Sequence, residues 1–373
     1  MISYLKRVPY YRRLQLLNLT TLELRRLRGD LIQVFKDTEK SCLVIGGCGF
    51  LGRHLVDGLL CKGYHVRVFD MKQTFEEKKI QFFTGNLCNK SDLVPALSGV
   101  HTVFHCATPP PLSVDRELFQ KVNCEGTRTI LQSCREAGVK KFILTSSASV
   151  IYEGTDLQNG REELGYTEKP MDAYTESKIE QEEEVLEAND PSEDFCTIAL
   201  RPHGIFGPRD PHFVPTLVSM AKKGTTIFKI GDGKNKVDFT YVENVVHGHI
   251  LAAEKLTRKS RISGRAYNIT NSEPVPFWDF IGRTLTGLGY SAPKIAIPFF
   301  IAYYFAVCLQ FLCSVISPII TINPTLTPTK VTLAATVHYY SIKNAKKDFG
   351  YEPPVSLDEG LQKTLESFSH LKR

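Results

Sequence analysis

The chain contains 373 residues, of which 42% are hydrophobic and 23% are charged, and its formal net charge is +6. This composition excludes a disordered protein and allows a nucleotide-binding domain with a smaller second domain. The only dense basic cluster lies in the first 28 residues, and the ten cysteines are scattered singly, so no nucleic-acid partner, zinc site or disulfide framework is expected.

Residues 1–39 form a basic N-terminal extension. Its basic side chains, which have only Glu23 as an acidic neighbour in the first 28 residues, are Lys6, Arg7, Arg12, Arg13, Arg25, Arg26 and Arg28. A solvated extension is the favoured interpretation, and the alternative is that these side chains lie with the nearby leucines on an anionic membrane surface. Charged residues begin at Lys6, and no short apolar run that ends in small residues is present near the N terminus. No secretory signal is therefore predicted, and the catalytic part is expected to face the cytosol.

A strand, a glycine turn and a helix are predicted next. An apolar run over 42–45 precedes three glycines spaced by three, Gly46, Gly49 and Gly52, and leucines then recur at helical spacing. A pyrophosphate must approach backbone amides at such a helix start, where a Cβ would hold it away. The second predicted strand ends in Asp70, which can bind ribose hydroxyls and would repel a 2′-phosphate. NAD is therefore expected, and NADP is less favoured although Lys72 lies nearby.

The alternation of apolar strands, polar turns and helical stretches continues along the chain. It predicts an α/β fold with a doubly wound parallel sheet, in which ligands bind at the carboxyl ends of the strands. The residues expected at those ends are Asn86, His105, Cys106, Ala107, Ser146, Ser147 and the segment 201–204.

A catalytic group is predicted at Ser147, Tyr174 and Lys178. Tyr174 and Lys178 share one face if their segment is helical, and they follow Ser147 within the same run of strands and helices. Two other Tyr-x-x-x-Lys matches, which begin at Tyr290 and Tyr339, lack that context. A tyrosine acts as a base near neutral pH only if its phenolate is stabilised by roughly 4 kcal/mol, which Lys178 and a positive nicotinamide ring could supply.

Two polar patterns are expected to have structural roles and not catalytic or metal-binding ones. The acidic run 180–187 is expected to be the solvated side of the helix that carries Tyr174. His247 and His249 are two residues apart and would point to nearly opposite faces of a helix, so no metal site is predicted there.

These motifs resemble the extended short-chain dehydrogenase/reductase family from about Lys40 to the C terminus, and within it the 3β-hydroxysteroid dehydrogenase branch. The motifs are "VIGGCGFLG", "VFHCATPPP", "LTSSASVIYEG", "LRPHGIFGPRD", "VDFTYVENVVHGHILAAE", "EPVPFW" and "VHYYS". The resemblance implies a Rossmann domain at 40–202 and 236–262. It also implies a smaller C-terminal substrate domain at 203–235 and 263–373.

The resemblance also assigns roles to cofactor-binding residues. Gly46, Gly49, Phe50, Leu51 and Gly52 would hold the pyrophosphate, Asp70 the adenosine ribose and Lys178 the nicotinamide ribose. Asn86 stands where the family commonly has Asp and could still accept a hydrogen bond from adenine. Asn123 would lie beside the cofactor and support Ser147. The remaining residues expected to line the cofactor are Leu87, Cys106, Ala107, Pro202, His203, Gly204 and Ile205.

The implied activity is NAD-dependent oxidation of the 3β-hydroxyl of 4α-carboxysterols with decarboxylation at C4, in sterol biosynthesis. Arg209 and His203 are candidates for recognising the carboxylate. Open alternatives are a 3β-hydroxysteroid dehydrogenase/isomerase, a nucleotide-sugar epimerase and a non-catalytic NAD-sensing protein. A homodimer and other enzymes of sterol C4 demethylation are the expected partners.

The segment 295–329 carries no charged side chain. A helix from Phe299 to Ser317 would measure about 28 Å, close to the about 30 Å of a bilayer core. The sequence after it resembles the end of the substrate domain, which a single span would separate from the catalytic domain. Tyr303, Gln310, Ser314 and Ser317 form a weak polar stripe. We therefore expect a monotopic or re-entrant anchor on the cytosolic face of the endoplasmic reticulum or on lipid droplets, with a buried helix of a soluble domain as the alternative.

Overall fold

The computed structural model describes residues 40–111, 113–316 and 326–373, except for the side chains of 314–316. The predicted basic extension at 1–39 and residues 317–325 of the predicted membrane segment lie outside the described residues.

Strands and helices alternate through the first two thirds of the described chain. The strands are β1 (Ser41–Ile45), β2 (His65–Asp70), β3 (Gln81–Thr84), β4 (Thr102–His105), β5 (Lys141–Thr145), β6 (Leu157–Gly160), β7 (Cys196–Pro202), β8 (Ile205–Phe206), β9 (Phe228–Ile230), β10 (Lys236–Val237), β11 (Thr240–Tyr241), β12 (Arg265–Ile269), β13 (Val275–Pro276), β14 (Ile295–Ile297) and β15 (His338–Tyr340). The helices are α1 (Phe50–Cys61), α2 (Lys90–Leu97), α3 (Arg116–Phe119), α4 (Gly126–Glu136), α5 (Ala173–Glu187), α6 (Phe213–Lys222), α7 (Val242–Lys255), α8 (Phe277–Gly287), α9 (Phe299–Ile316), α10 (Pro328–Ala335), α11 (Lys343–Phe349) and α12 (Leu357–Ser367).

The main sheet has seven strands in the order β12-β7-β5-β4-β1-β2-β3, and every pairing in it is parallel. Its strands are short apolar runs, as expected of a sheet covered on both faces. Helices α1 and α7 cover one face, and α2, α4 and α5 cover the other. The predicted doubly wound parallel fold is therefore confirmed, with its topological switch point between β1 and β4, where such folds bind their ligands.

A smaller unit surrounds the four-stranded sheet β13-β10-β15-β6. The predicted domain boundaries differ from the strand pairing at two places. β12, which the sequence interpretation placed in the substrate domain, is the edge strand of the main sheet, where Arg265 to Ile269 pair with Ile198 to Pro202. β10, which it placed in the Rossmann domain, pairs with β13 and β15 of the smaller sheet. Both short strands carry too little local pattern to reveal their partners.

Helix α9 packs on the smaller unit through small residues. Ala302 and Ala306 are buried in one cluster with Ile230, Val331 and Ala334. The large side chains of α9 point away and are exposed: Phe299, Phe300, Ile301, Tyr304, Phe305, Val307, Phe311 and Leu312. Within the described ranges, no helix combines the length and the apolarity that crossing a bilayer requires.

The described members of the predicted weak polar stripe differ in burial. Tyr303 is partly buried and Gln310 is exposed, although they lie seven residues apart on one side of the helix. The side chain of Ser314 and residue Ser317 are not described. The small residues, rather than the polar ones, therefore set which side of α9 faces the protein.

Candidate active site

The glycine turn lies between β1 and α1 and brings the start of α1 to the edge of the sheet. Gly46 has φ +81°, and a Cβ on it would lie 2.6 Å from the backbone nitrogen of Ala107. A Cβ on Gly52 would lie 2.0 Å from the carbonyl oxygen of Gly46. Gly49 precedes α1 and provides no side-chain cap, and the first turn of α1 has no acidic residue. The amides at this helix start are thus suited to a pyrophosphate, as predicted for NAD.

Two further residues of the glycine turn were assigned to the pyrophosphate. Phe50 begins α1 and is partly buried, whereas Leu51 is buried in the core beside the sheet. Leu51 therefore anchors the helix start, and only its backbone amide can serve a ligand.

Asp70 ends β2 directly opposite the glycine turn. One of its carboxylate oxygens accepts a hydrogen bond from the backbone N–H of Cys48 at 2.9 Å, and the other accepts from Met71 at 2.8 Å. These bonds fix the carboxylate beside the turn while it stays partly exposed. This position suits the predicted contact with the adenosine ribose.

The predicted adenine-side residues follow β3. Asn86 is exposed, and its side-chain oxygen accepts a hydrogen bond from Cys88 N–H at 3.0 Å. That oxygen keeps a second lone pair for an adenine amino group. Leu87 is buried and packs on α4, where a Cβ on Gly126 would come within 1.9 Å of it.

Cys106 and Ala107 follow β4 at the topological switch point. The N–H of Cys106 donates to the carbonyl of Ile45 at 2.9 Å, and its sulfur accepts from the hydroxyl of Thr145 at 3.3 Å. These contacts place Cys106 between the glycine turn and the strand that leads to Ser147.

Tyr174 lies in the first turn of α5, where Asp172 caps the helix by accepting from Thr175 N–H at 2.8 Å. Its ring packs edge-on against Phe119 at 5.8 Å, and the side chain of Ser147 lies close enough to its hydroxyl to lower the pKa of Tyr174. The structure therefore brings together the serine and tyrosine that the sequence predicted. Burial raises the pKa of Tyr174 to about 12, and Ser147 lowers it only in part. The stabilisation of the phenolate that catalysis needs is therefore not supplied by the protein alone.

Lys178 is buried one turn further along α5. Its ammonium donates to the carbonyl of Thr145 at 3.0 Å and to the side chain of Gln181 at 2.8 Å. Burial lowers the pKa of Lys178 to about 8. Two of its three N–H donors are thus held by protein, which leaves one for a cofactor hydroxyl.

Gln181 is itself held by a buried network that the sequence did not reveal. Its amide nitrogen lies 2.8 Å from the hydroxyl of Thr127 and 3.1 Å from Nε2 of His105. Burial lowers the pKa of His105 to about 3, so the imidazole is neutral and can accept from the amide. The amide oxygen of Gln181 is therefore held toward Lys178.

Asn123 lies in a π-helical turn, Gln120–Glu125, between α3 and α4. Its amide nitrogen donates to the hydroxyl of Ser177 at 2.9 Å, and Ser177 in turn donates to the carbonyl of Tyr174. Its amide oxygen is buried without a protein partner among the described residues. Asn123 thus contacts α5, the helix of Tyr174, through Ser177. The sequence interpretation had expected it to support Ser147 instead. Insertion of a π turn changes which way a side chain faces, and sequence alone does not show it.

The end of β7 lies beside the end of β5. Thr145 pairs with Leu200, so Pro202 comes alongside the Ser147 segment. Pro202 is buried, Ile205 is partly buried and Gly204 has φ +53°. A Cβ on Gly204 would lie 2.8 Å from the carbonyl of Asp238. These residues occupy the edge of the sheet where a nicotinamide is predicted.

The two candidates for recognising a carboxylate lie in different places. His203 is in the site, where its Nδ1 lies 2.8 Å from the carbonyl of Asp238 and its ring packs against His338 at 4.9 Å. Burial lowers the pKa of His203. Arg209 instead forms an ion pair with Asp57 of α1 at 2.9 Å. This ion pair therefore holds Arg209 on the outer face of α1.

The acidic run after Lys178 is not wholly solvated. Glu182 is completely buried, and it pairs with Arg201, whose side chain is 4% exposed. The sequence does indicate that Glu182 lies on the same helix face as the catalytic residues, because Tyr174, Lys178 and Glu182 are spaced by four.

The remaining patterns are structural. His249 is buried, and it lies 2.7 Å from the hydroxyl of Thr145 and 2.8 Å from the carbonyl of Val245. Tyr290 donates to the carbonyl of Leu371 at 3.1 Å, within a cluster of the smaller unit. In the described ranges, no group of three or more His, Cys, Asp or Glu side chains could hold a metal ion.

A family model described as the 3-beta hydroxysteroid dehydrogenase/isomerase family matches residues 43–299. The chain is 59% identical over 334 residues to the Mus musculus protein named sterol-4-alpha-carboxylate 3-dehydrogenase, decarboxylating. This alignment covers 90% of this chain and 92% of the relative. It is 56% identical over 348 residues to the Homo sapiens protein of the same name, with 93% of each chain covered. A Thermus thermophilus UDP-glucose 4-epimerase solved in complex with NAD has the same fold, with a TM-score of 0.65 and 24% identity over 88% of this chain and 98% of the other.

Proposed function

The chain belongs to the 3-beta hydroxysteroid dehydrogenase/isomerase family, and we propose that it oxidises the 3β-hydroxyl of a 4α-carboxysterol with NAD, followed by decarboxylation at C4. The observation that carries this proposal is the intact pair of Ser147 and Tyr174 with Lys178 at the end of β5, in a chain 59% identical to a relative named for that reaction. The glycine turn and Asp70 fit NAD as the cofactor.

In the oxidation, Ser147 holds the substrate oxygen by a hydrogen bond while Tyr174 accepts the hydroxyl proton. Bound NAD would supply the acceptor for the hydride that leaves C3 of the sterol. Lys178 keeps a positive charge one helical turn from Tyr174, which favours the phenolate. The contact with Phe119 holds the tyrosine ring in place.

The oxidation prepares the decarboxylation. The new C3 ketone is β to the carboxylate, so the bond from C4 to the carboxyl carbon can break with its electron pair moving to the C3 oxygen. Carbon dioxide leaves, and the enolate takes up a proton at C4. Tyr174, now protonated, and Ser147 can donate hydrogen bonds to the enolate oxygen.

The two residues considered for recognising the substrate carboxylate, His203 and Arg209, do not oppose this step. His203 is kept neutral by burial, and Arg209 is engaged by Asp57. A guanidinium fixed on the substrate carboxylate would stabilise the ground state and slow the reaction.

Incubation of the purified protein with NAD and a panel of substrates tests the proposed function. A 4α-carboxysterol should yield both NADH and carbon dioxide. A plain 3β-hydroxysteroid that is turned over as fast would instead indicate a 3β-hydroxysteroid dehydrogenase/isomerase. Turnover of a UDP-sugar would indicate an epimerase, and NAD binding with no turnover of any substrate would indicate an NAD-sensing protein.

We also propose that the exposed face of α9 lies in the interfacial region of a membrane. This face carries large apolar side chains that reach 65% exposure at Tyr304 and 66% at Phe311. A soluble monomer rarely exposes such a contiguous apolar surface. Sterols are apolar, so a site beside the membrane could receive its substrate without transfer through water.

Neighbouring strands extend this face. β9 and β14 pair beside α9, and their exposed residues include Phe228 and Ile295. Lys229 and Lys294 flank those two residues and suit anionic lipid headgroups. An apolar surface bordered by lysines favours a lipid bilayer over a second protein copy as the occupant.

The proposed location is the cytosolic face of the endoplasmic reticulum, and lipid droplets, whose monolayer accepts a monotopic anchor. An epitope after Arg373 should be digested by protease when only the plasma membrane is permeabilised. Protection of the epitope would indicate a true span. Release of the protein by high-pH carbonate would show that no embedded anchor exists.

A matched pair of substitutions tests the face itself. Phe305→Asp combined with Phe311→Asp should abolish sedimentation of the purified protein with phosphatidylcholine–phosphatidylserine vesicles. Leu164→Asp, at an exposed apolar residue remote in sequence from α9, should leave it unchanged. Unaltered sedimentation of the double variant would contradict this attachment. Gel filtration and co-purification then test the proposed homodimer and the proposed association with other enzymes of sterol C4 demethylation.

A further inference from the structure

A buried polar cluster lies directly behind the catalytic residues. Glu182 is completely buried, and its two carboxylate oxygens share the Nε–H of Arg201, each at 3.0 Å, while one of them also accepts from Nη2. The hydroxyl of Ser146 also donates to this carboxylate, as does the hydroxyl of Tyr166 at 3.1 Å. The carboxylate thus joins four separate segments of the chain, which are its own helix and the three segments that supply the donors.

Three of these segments carry residues assigned to the reaction. Ser146 immediately precedes Ser147, and Glu182 is four residues after Lys178 on α5. Arg201 immediately precedes Pro202, which is predicted to line the nicotinamide. The cluster therefore ties together the two strand ends and the helix that form the nicotinamide half of the site.

Stability alone does not require such a pair. Removing two charges from water is costly, and apolar side chains of similar volume often stabilise a core as well as a buried ion pair does. Hydrogen bonds with fixed directions do provide what apolar contacts cannot, which is a defined spacing between the joined segments. Positioning is thus the property that would be lost on apolar replacement.

We infer that Glu182 and Arg201 are positioning residues that hold Ser147, the helix of Tyr174 and Lys178, and the Pro202 segment in their catalytic arrangement. This inference rests on the proposed dehydrogenase function. The adenosine half of the cofactor site, formed by the glycine turn and Asp70, has no member in this cluster. Loss of the pair should therefore damage one half of the cofactor site and spare the other.

The test compares Glu182→Gln and the double variant Glu182→Met/Arg201→Met with the wild-type protein. The double variant avoids an unpaired buried charge and should fold even if the single variant does not. A control is Asp348→Asn, since Asp348 is nearly buried, pairs with Arg261 and accepts from the hydroxyl of Tyr267, but holds no catalytic segment.

Turnover and ligand affinity are both measured. In the double variant kcat for the 4α-carboxysterol should fall by about 10²-fold, the size expected of a misplacement near 1 Å. The Kd for NAD should rise by about tenfold, as expected on losing a charge-assisted hydrogen bond. The Kd for ADP, which probes only the adenosine half, should stay within about twofold. Asp348→Asn should change none of these quantities.

Wild-type values of kcat and of the Kd for NAD in the double variant would overturn the inference. So would an equal loss of NAD and ADP affinity, because it would indicate general disruption. If the wild-type protein does not turn over the sterol, the proposed function fails, and the difference between NAD and ADP binding still decides the inference.

Discussion

Replacing Tyr174 by Phe removes the proton acceptor and leaves its ring on Phe119. Burial raises the pKa of Tyr174 to about 12 in the protein alone. Since one pKa unit corresponds to about 1.4 kcal/mol, forming the phenolate at pH 7 costs about 7 kcal/mol before any cofactor contributes. We expect kcat to fall by about 10²- to 10⁴-fold, the usual contribution of a general acid–base group.

The assay follows NADH at 340 nm under saturating 4α-carboxysterol, together with the Kd for NAD. The Kd should remain near the wild-type value, because the phenolic oxygen is not assigned to cofactor binding. Tyr290→Phe is a matched control, since Tyr290 is also buried but bonds to Leu371 in the smaller unit. If Tyr174→Phe keeps more than about one per cent of kcat, the assignment of the base is wrong.

Three further outcomes are expected. The wild-type kcat/KM should be higher with NAD than with NADP, and Asp70→Asn should narrow that difference; a preference for NADP would show that a cation such as Lys72 overrides Asp70. Gly52→Ala should abolish NAD binding in calorimetry, because its Cβ would lie 2.0 Å from the carbonyl of Gly46, whereas Gly282→Ala, 3.3 Å from Ala292, should bind NAD normally. The kcat/KM should fall above about pH 8 as Lys178, whose pKa burial lowers to about 8, loses its charge; a flat profile to pH 10 would contradict this role.

Local sequence patterns were sufficient for the parts of the site that depend on chain neighbours. The spacing of the glycines and of Tyr174 with Lys178 follows from one turn and one helix, and the structure places both as predicted. The alternation of strands with helices was also sufficient to predict a parallel, doubly wound sheet. These features depend on contacts close in sequence, which a pattern can report.

Contacts between distant segments were not predictable in the same way. The spacing of Glu182 from Lys178 indicates the helix face that they share, but its partner Arg201, 19 residues later, is revealed only by the fold. The orientation of α9 depended on Ala302 and Ala306 packing on Val331, and not on its few polar residues. The π turn redirected Asn123 toward Ser177. In each case the deciding partner comes from another element.

In the proposed reaction, oxidation at C3 causes the loss of the C4 carboxylate. The most direct measurement uses a 4α-carboxysterol labelled at the carboxyl carbon and follows NADH and labelled carbon dioxide from the same reaction. We expect equal amounts of both products, with neither formed when NAD is omitted or when Tyr174 is replaced by Phe. Labelled carbon dioxide released without NAD, or NADH formed without any carbon dioxide, would contradict the proposed reaction.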